Sequence, residues 1–496
     1  MNGVVNTACR IAGFVGAACA AGAALSAQPI PGLSTAADAA GSIGVYSSAG
    51  SFDTSGPFFQ SLGINGRSCG TCHVASQAMS FTPESARQRF ESSHGTDPLF
   101  AHVDGANCDN VATGDRAGHS LVLRNGLIRV ALPVPVNAEY ALSVVNDPYG
   151  CALRVDPKTQ VLTASVYRRP LPTANLGFIS AVMFDGRETT ASLASQATFA
   201  ANLRANLSRQ AVDATTIHAE APAAPGQAAV DAIVDFELGL FASQYSDRQA
   251  GLLGSGGGNG GPQKLAAQPY YPGINDTLGA DPFGNPFTPA AMTLYTAWET
   301  PPRRIDGPDE DRLRARAMIG AGEKLFNSAP MTISNVRGLN DNAALKSPVS
   351  FAGTCATCHD APNIGDHSLP LPLDIGIAHT ADQNFESDPL ISAAVSELSM
   401  PNLPVFLVSG CPNPFSGGQP ESFYTTDPGK ALVSGKCSDF NRVKGPILRG
   451  LAARAPYFHN GAAGTLREAV NFYNKRFQMN LTELQKTQLV AFLNTL

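Results

Sequence analysis

Charge is scarce in this sequence: Asp, Glu, Lys and Arg make up 15% of its 496 residues, and the net charge is −6 at pH 7. No long basic run occurs, so the clustered cations that neutralise phosphates are missing and nucleic acid is not an expected partner. Tryptophan occurs once, at Trp298. After the first 27 residues no segment is long and apolar enough to cross a bilayer, so no membrane span is expected in the mature chain. Gly (48) and Pro (36) are plentiful, and apolar residues reach 44%. That mixture excludes a disordered chain and favours loop-rich globular structure with substantial cores over a plain helical bundle. The length suffices for two or three domains.

Residues 1–27 have the pattern of a secretory signal. Arg10 supplies a positive start, Ile11 to Leu25 is apolar and small, and Ala24-Leu25-Ser26-Ala27 offers small residues for cleavage. The expected location is therefore periplasmic or secreted. Cys9 and Cys19 would leave with this segment.

Four of the eight remaining cysteines sit in two five-residue words, Cys69-Gly-Thr-Cys72-His73 and Cys355-Ala-Thr-Cys358-His359. Two cysteines three apart lie on one turn, where each can form a thioether with a haem vinyl group, and the following His can ligate the iron. A tetrahedral zinc site would need a second ligand pair nearby, and a redox dithiol needs no His after it. Two covalently bound haem c groups are the expected cofactors. The other four cysteines are expected to pair as Cys108–Cys151 and Cys411–Cys437, each tying down a long loop in an oxidising compartment.

Helices are expected at about 57–62, 84–92, 227–244 and 310–327, and a last helix opens at Thr482 with Gln485 completing a capping box. In the 227–244 segment Val230, Ile233, Val234, Glu237, Leu240 and Phe241 recur with helical spacing. Leu142 to Val145 and Val161 to Val166 are strand candidates within an insertion spanning about 82–167. Gly251 to Pro262 has the composition of a flexible link. The expected fold class is mainly α. It comprises two cytochrome c-like haem domains, 28–248 and 310–496, joined by a Gly/Pro-rich region at 249–309, the first carrying the β-containing, disulfide-tied insertion. Gly320 and Gly322 suit close helix crossing with the closing helix.

Met183-Phe-Asp-Gly-Arg187-Glu188, followed by Ser192-Leu-Ala-Ser-Gln196-Ala197, resembles a W-D-G-R…L-x-x-Q-A stretch of the bacterial di-haem cytochrome c peroxidases and MauG. Ile447 to Gly461, with Ala455-Pro-Tyr-Phe-His459-Asn-Gly461, and Thr465 to Tyr473 are similar to that family's closing segment. The resemblance implies that the haem at His73 is the reactive one, activating peroxide or O2, and that the haem at His359 relays electrons. It also implies a small redox protein, a cytochrome or cupredoxin, as donor or acceptor. Gln196 and Glu188 are the candidate catalytic residues.

Four departures accompany this likeness. Phe184 stands where the family has an inter-haem Trp, and Phe is much harder to oxidise. No acid follows Gln196 at the family's spacing, although peroxide cleavage needs a group to move a proton. No His is present in Val161 to Val166, where the peroxidases carry a displaceable one, so the first haem is expected to rest with an open face. Arg168-Arg169-Pro170 replaces the family's calcium-binding Asn, which speaks against calcium. For the second haem's sixth ligand Tyr473 is the first candidate, with Met400, Met479, His367 and His379 as rivals. The alternative to an enzyme is a non-catalytic di-haem electron-transfer cytochrome.

Overall fold

Leu33–Ala37 and Gly41–Ser47 form an antiparallel hairpin, closed by Asp38, whose Oδ1 accepts from the amides of Ala40 (2.9 Å) and Gly41 (2.7 Å). A computed structural model describes residues 31–156, 160–300, 309–379, 388–415, 417–418 and 420–496. The expected signal segment 1–27 and the end of the 249–309 region lie outside the described residues. The hairpin extends into a four-stranded sheet through Leu240–Asp247 and Gly251–Leu252. The segment expected to be one helix over 227–244 is therefore split. The helix covers Gln227–Leu238, and Gly239 ends it. Glycine is a weak helix former, and Gly41–Ser47 offers an open edge to which Leu240–Asp247 pairs, so Leu240 and Ala242 reach the core beside Ile43 and Val45.

The strand candidates of the insertion both form, as Ala141–Asn146 and Leu162–Arg168. They belong to different sheets. Leu162–Arg168 is the centre of a three-stranded sheet between Ile128–Pro133 and Leu153–Val155. Ala141–Asn146 instead pairs antiparallel with Val405–Pro412, Leu142 opposite Val408, and that strand pairs on with Pro420–Thr425. The insertion is thus stitched by backbone hydrogen bonds to the C-terminal half. Cys108 is bonded to Cys151 with Cα atoms 6.1 Å apart, and Cys411 to Cys437 at 5.4 Å. The Cys437 amide donates to Glu139 Oε2 of the insertion at 2.8 Å.

These sheets overturn the expectation of a mainly α fold built from two cytochrome c-like domains. About 30% of the chain is helical and 16% is strand, arranged in four sheets. Helical periodicity was visible locally, whereas four short strands find partners far away in sequence, which no local pattern announces. Gly32–Leu496 forms one compact unit.

The helix Glu310–Ser328 crosses the closing helix Glu483–Leu493, which begins with the Thr482–Gln485 capping box. A Cβ at Gly322 would lie 2.0 Å from the Gln488 carbonyl oxygen, so only glycine permits this approach. Gly320 serves a different contact, with the backbone of Trp298. The 251–262 segment, expected as a flexible link, is packed: Trp298 Nε1 donates to the Gly256 carbonyl (2.7 Å), and Arg316 reaches Ala250 O (3.0 Å) and Ser255 Oγ (2.9 Å).

Candidate functional site

The two C-x-x-C-H words fold identically. Ser68 and Thr354 each open a single 3-10 turn with a reciprocal capping box to Thr71 and Thr357. The turn closes when the amides of His73 and His359 donate to Cys69 O and Cys355 O, both at 3.0 Å. Each pair of cysteines and its histidine then face one cavity.

The histidines carry the decisive detail. His73 Nδ1 lies 2.9 Å from the Met79 carbonyl, and His359 Nδ1 lies 2.6 Å from the Gly365 carbonyl. A carbonyl only accepts, so Nδ1 bears the proton and Nε2 keeps its lone pair. Burial pushes both imidazoles down to about 4, which keeps them neutral, as metal ligation requires. Burial also pushes the thiols up, Cys72 to about 11 and Cys69, Cys355 and Cys358 to about 12. A redox dithiol or thiolate metal site depends on the opposite shift.

The first cavity, beside His73, is walled by Leu171, Ile179, Val182, Met183, Leu207 and Ala211. The second, beside His359, is walled by Leu373, Ile377, Leu448, Leu466, Val470 and Leu489. Phe184, Arg169, Pro170, Leu171, Lys444 and Pro446 line both, so the cavities meet at a shared wall.

Arg169, Arg449 and Arg454 line the cavities. Among the described residues they bond to carbonyls and to no carboxylate: Arg169 to Gly126 O (2.7 Å) and Phe81 O (2.6 Å), Arg449 to Asn363 O (2.9 Å), Arg454 to Ile447 O (2.7 Å) and Arg449 O (3.0 Å). Arg449 Nη1 is buried without any partner. Burial lowers Arg169 to about 9 and the other two to about 10. Buried cations demand anions. The propionates of haem would supply them, and the thiol pairs and free Nε2 atoms would supply the attachment and an iron ligand, so the residues at each word fit haem c.

Tyr473 lines the second cavity, packs on Cys355 and Cys358, and stacks on Phe477 with ring centroids 6.0 Å apart. Burial pushes its phenol up, so it is neutral. Met479 and His367 line the same cavity. Met400 and His379 do not. Met400 packs against the Ile377 and Ile391 cluster, while His379 faces Asp374 (3.3 Å) and Asn441 (3.2 Å).

The structure brings neither candidate catalytic residue to a cavity. Gln196 is exposed. Glu188 is buried against Arg209, at 3.1 Å. The acid that does line the first cavity is Glu237, 3% exposed and pushed up to about 8 by burial, with Oε2 unpartnered. An acid on the otherwise apolar stripe of the 227–238 helix was the signal that could have found it. His218 also lines this cavity, its Nδ1 held by Asp104, which is ion-paired to Arg67.

No family model matches the chain. It is 31% identical over 156 residues to a cytochrome-c peroxidase of Denitromonas iodatirespirans, covering 29% of this chain and 36% of that protein. It is 40% identical over 70 residues to the cytochrome c551 peroxidase of Nitrosomonas europaea, covering 14% and 21%. A cytochrome-c peroxidase of a Pseudomonas strain matches at 29% over 149 residues, covering 29% and 35%. The chain therefore spans about a third or less of the curated relatives it matches, and over those segments it is cytochrome c peroxidase-like.

Proposed function

We propose that this chain is an exported, periplasmic di-haem c-type oxidoreductase of peroxidase type, with one haem in the 28–248 half and one in the 310–496 half. Peroxide is its oxidant and a small cytochrome or cupredoxin its electron donor. The observation that carries this reading is the pair of histidines, each with Nδ1 on a backbone carbonyl and Nε2 facing a cavity that also holds two thiols. Among the described residues no helix is long and apolar enough to cross a membrane.

Bound haem supplies an iron that exchanges electrons one at a time and can take peroxide at an open face. The chain's residues set the conditions. Met79 O and Gly365 O orient the axial rings. Arg169, Arg449 and Arg454 would hold the carboxylates of the bound groups. Tyr473, which lines the second cavity, would cap an iron held there and leave the first as the reactive one. Glu237 holds a proton on a buried carboxyl within the first cavity near neutral pH. Phe184 lines both cavities, together with Arg169, Pro170, Leu171, Lys444 and Pro446.

A second reading, an electron carrier without turnover, is favoured by one observation: Gln196 and Glu188 both stay away from the cavities. Electron paramagnetic resonance of the air-oxidised protein separates the two. One high-spin and one low-spin ferric signal, with peroxide consumed at the expense of a reduced donor, is the expected result. Two low-spin ferric signals, with optical spectra of the reduced protein showing both ferrous haems still six-coordinate and low-spin and with no peroxide consumption, would establish the carrier.

A further inference from the structure

Behind the second haem word, Asp276, Asp360 and His367 place one ligand atom each within 4.8 Å of one another, and all three side chains are buried. Each carboxylate spends one oxygen on the backbone and turns the other inward. Asp276 Oδ2 accepts from the amides of Leu278 (2.9 Å) and Ala280 (3.2 Å), and Asp360 Oδ1 accepts from Ser368 N (2.8 Å). Asp276 Oδ1 and Asp360 Oδ2 have no hydrogen-bond donor, and neither nitrogen of His367 makes a hydrogen bond. His367 Nε2 lies 3.7 Å from Asp276 Oδ1, and Nδ1 lies 2.8 Å from Asp360 Oδ2, close but misdirected for a hydrogen bond. The Ser368 hydroxyl, next in the chain, is fully buried and also unpartnered.

Charge makes the same case independently. Among the described residues no Lys or Arg pairs with Asp276 or Asp360, and the basic side chain beside them is His367. Two ionised carboxylates turned toward one point would carry two negative charges that no neighbouring Lys or Arg offsets. A divalent cation with a neutral imidazole balances both.

We propose that Asp276, Asp360 and His367 bind one divalent transition cation of the zinc or manganese class. Two carboxylate oxygens and one imidazole nitrogen form a mixed donor set suited to those ions, whereas calcium takes oxygen ligands in greater number. The site differs in place and donors from the Arg168-Arg169-Pro170 position that replaces the family's calcium-binding Asn. The ion fastens the 273–281 loop to the 360–368 loop that also supplies Gly365 O to His359. Existing bonds, Gly273 N to Ser368 O (3.0 Å) and Asn275 Nδ2 to Asp360 O (3.1 Å), already bring these loops together.

The test is metal analysis of the haem-loaded protein purified without chelator, followed by calorimetric titration of chelator-stripped protein with Zn2+, Mn2+ and Ca2+. The expected result is one equivalent of zinc or manganese beyond the haem iron, saturable rebinding to wild type, and loss of that one equivalent in Asp276→Asn with the haem absorption bands retained. Thermal midpoints of stripped wild type should rise with added Zn2+ or Mn2+ by mass action, a readout that stands even if the variant does not fold. The proposal is overturned if stripped wild type shows no saturable binding and no midpoint shift, if Asp276→Asn keeps the full equivalent, or if only Ca2+ binds.

Discussion

The ring of Phe184 meets the ring of His459 edge-on, with centroids 6.0 Å apart and planes 63° from parallel. Phe184 lines both cavities and His459 lines the second, so this contact lies in the thin wall between them. If each cavity holds a haem, as proposed, electrons passing between them would cross that wall. Phenylalanine is a poor relay, because its ring resists oxidation. Phe184→Trp is therefore expected to raise the inter-haem electron-transfer rate several-fold, without altering either haem's absorption spectrum. Stopped-flow reduction with a donor specific for one haem checks this, and an unchanged rate would show that the path avoids residue 184.

Covalent attachment gives the most direct count. The double variant Cys69→Ala, Cys72→Ala is expected to retain one covalent haem, and Cys355→Ala, Cys358→Ala likewise, while wild type carries two. Pyridine haemochrome absorbance per chain, combined with haem staining after denaturing electrophoresis, reads the number. A wild-type value of one would remove the di-haem reading altogether.

Arg449 has a buried Nη1 with no partner, and its guanidinium bonds to the Asn363 carbonyl, not to an acid. If it holds a propionate of the first haem, Arg449→Gln removes a positive charge beside that haem. Losing a nearby cation favours the more positive ferric state, so the midpoint potential should fall by tens of millivolts, where ~59 mV is a tenfold change for a one-electron couple. Potentiometric titration followed by optical spectra resolves the shift. A change confined to the second haem would reassign Arg449 to the other cavity.

These sites were unequally legible in the sequence. The C-x-x-C-H words, the Thr482 capping box and the 310–328 helix depend on neighbours within a turn or two, and local pattern suffices for them. The pairing of Ala141–Asn146 with Val405–Pro412 depends on a partner far along the chain, and nothing in either strand names the other. The 227–244 segment shows a conflict between signals: the apolar spacing runs on past Leu238, but Gly239 and the waiting edge at Gly41–Ser47 decide the outcome. Gln196, a candidate by likeness to a motif, lies exposed, while Glu237, read only as part of a helix's periodic face, lines the cavity. A motif conveys neighbours in sequence, whereas a cavity is assembled from residues that only the fold brings together.

Acid stability is expected to report on His459. Burial pushes its imidazole from 6.5 down to about 4, and although Asp427 lies 3.6 Å from Nε2, that carboxylate is already satisfied by Arg168 through bonds of 2.7 and 2.9 Å. The folded-state value is the lower one, so between these limits the unfolded chain binds a proton that the folded chain does not. Stability is therefore unaffected above about pH 7 and falls as pH drops from 6.5 toward 4. The full loss is roughly 3 kcal/mol at ~1.4 kcal/mol per unit. His73 and His359 are equally depressed, but iron ligation would suppress their titration, and burial lowers His119 as well, so comparison with a His459 variant is what isolates this group. Thermal midpoints of haem-loaded wild type and His459→Gln, measured from pH 8 to pH 4, give the comparison. The variant should start lower, having lost a well-packed ring, and then decline less steeply through the acid range. Parallel curves would mean that His459 is protonated in the folded protein, with Asp427 sharing its charge between Arg168 and the imidazolium.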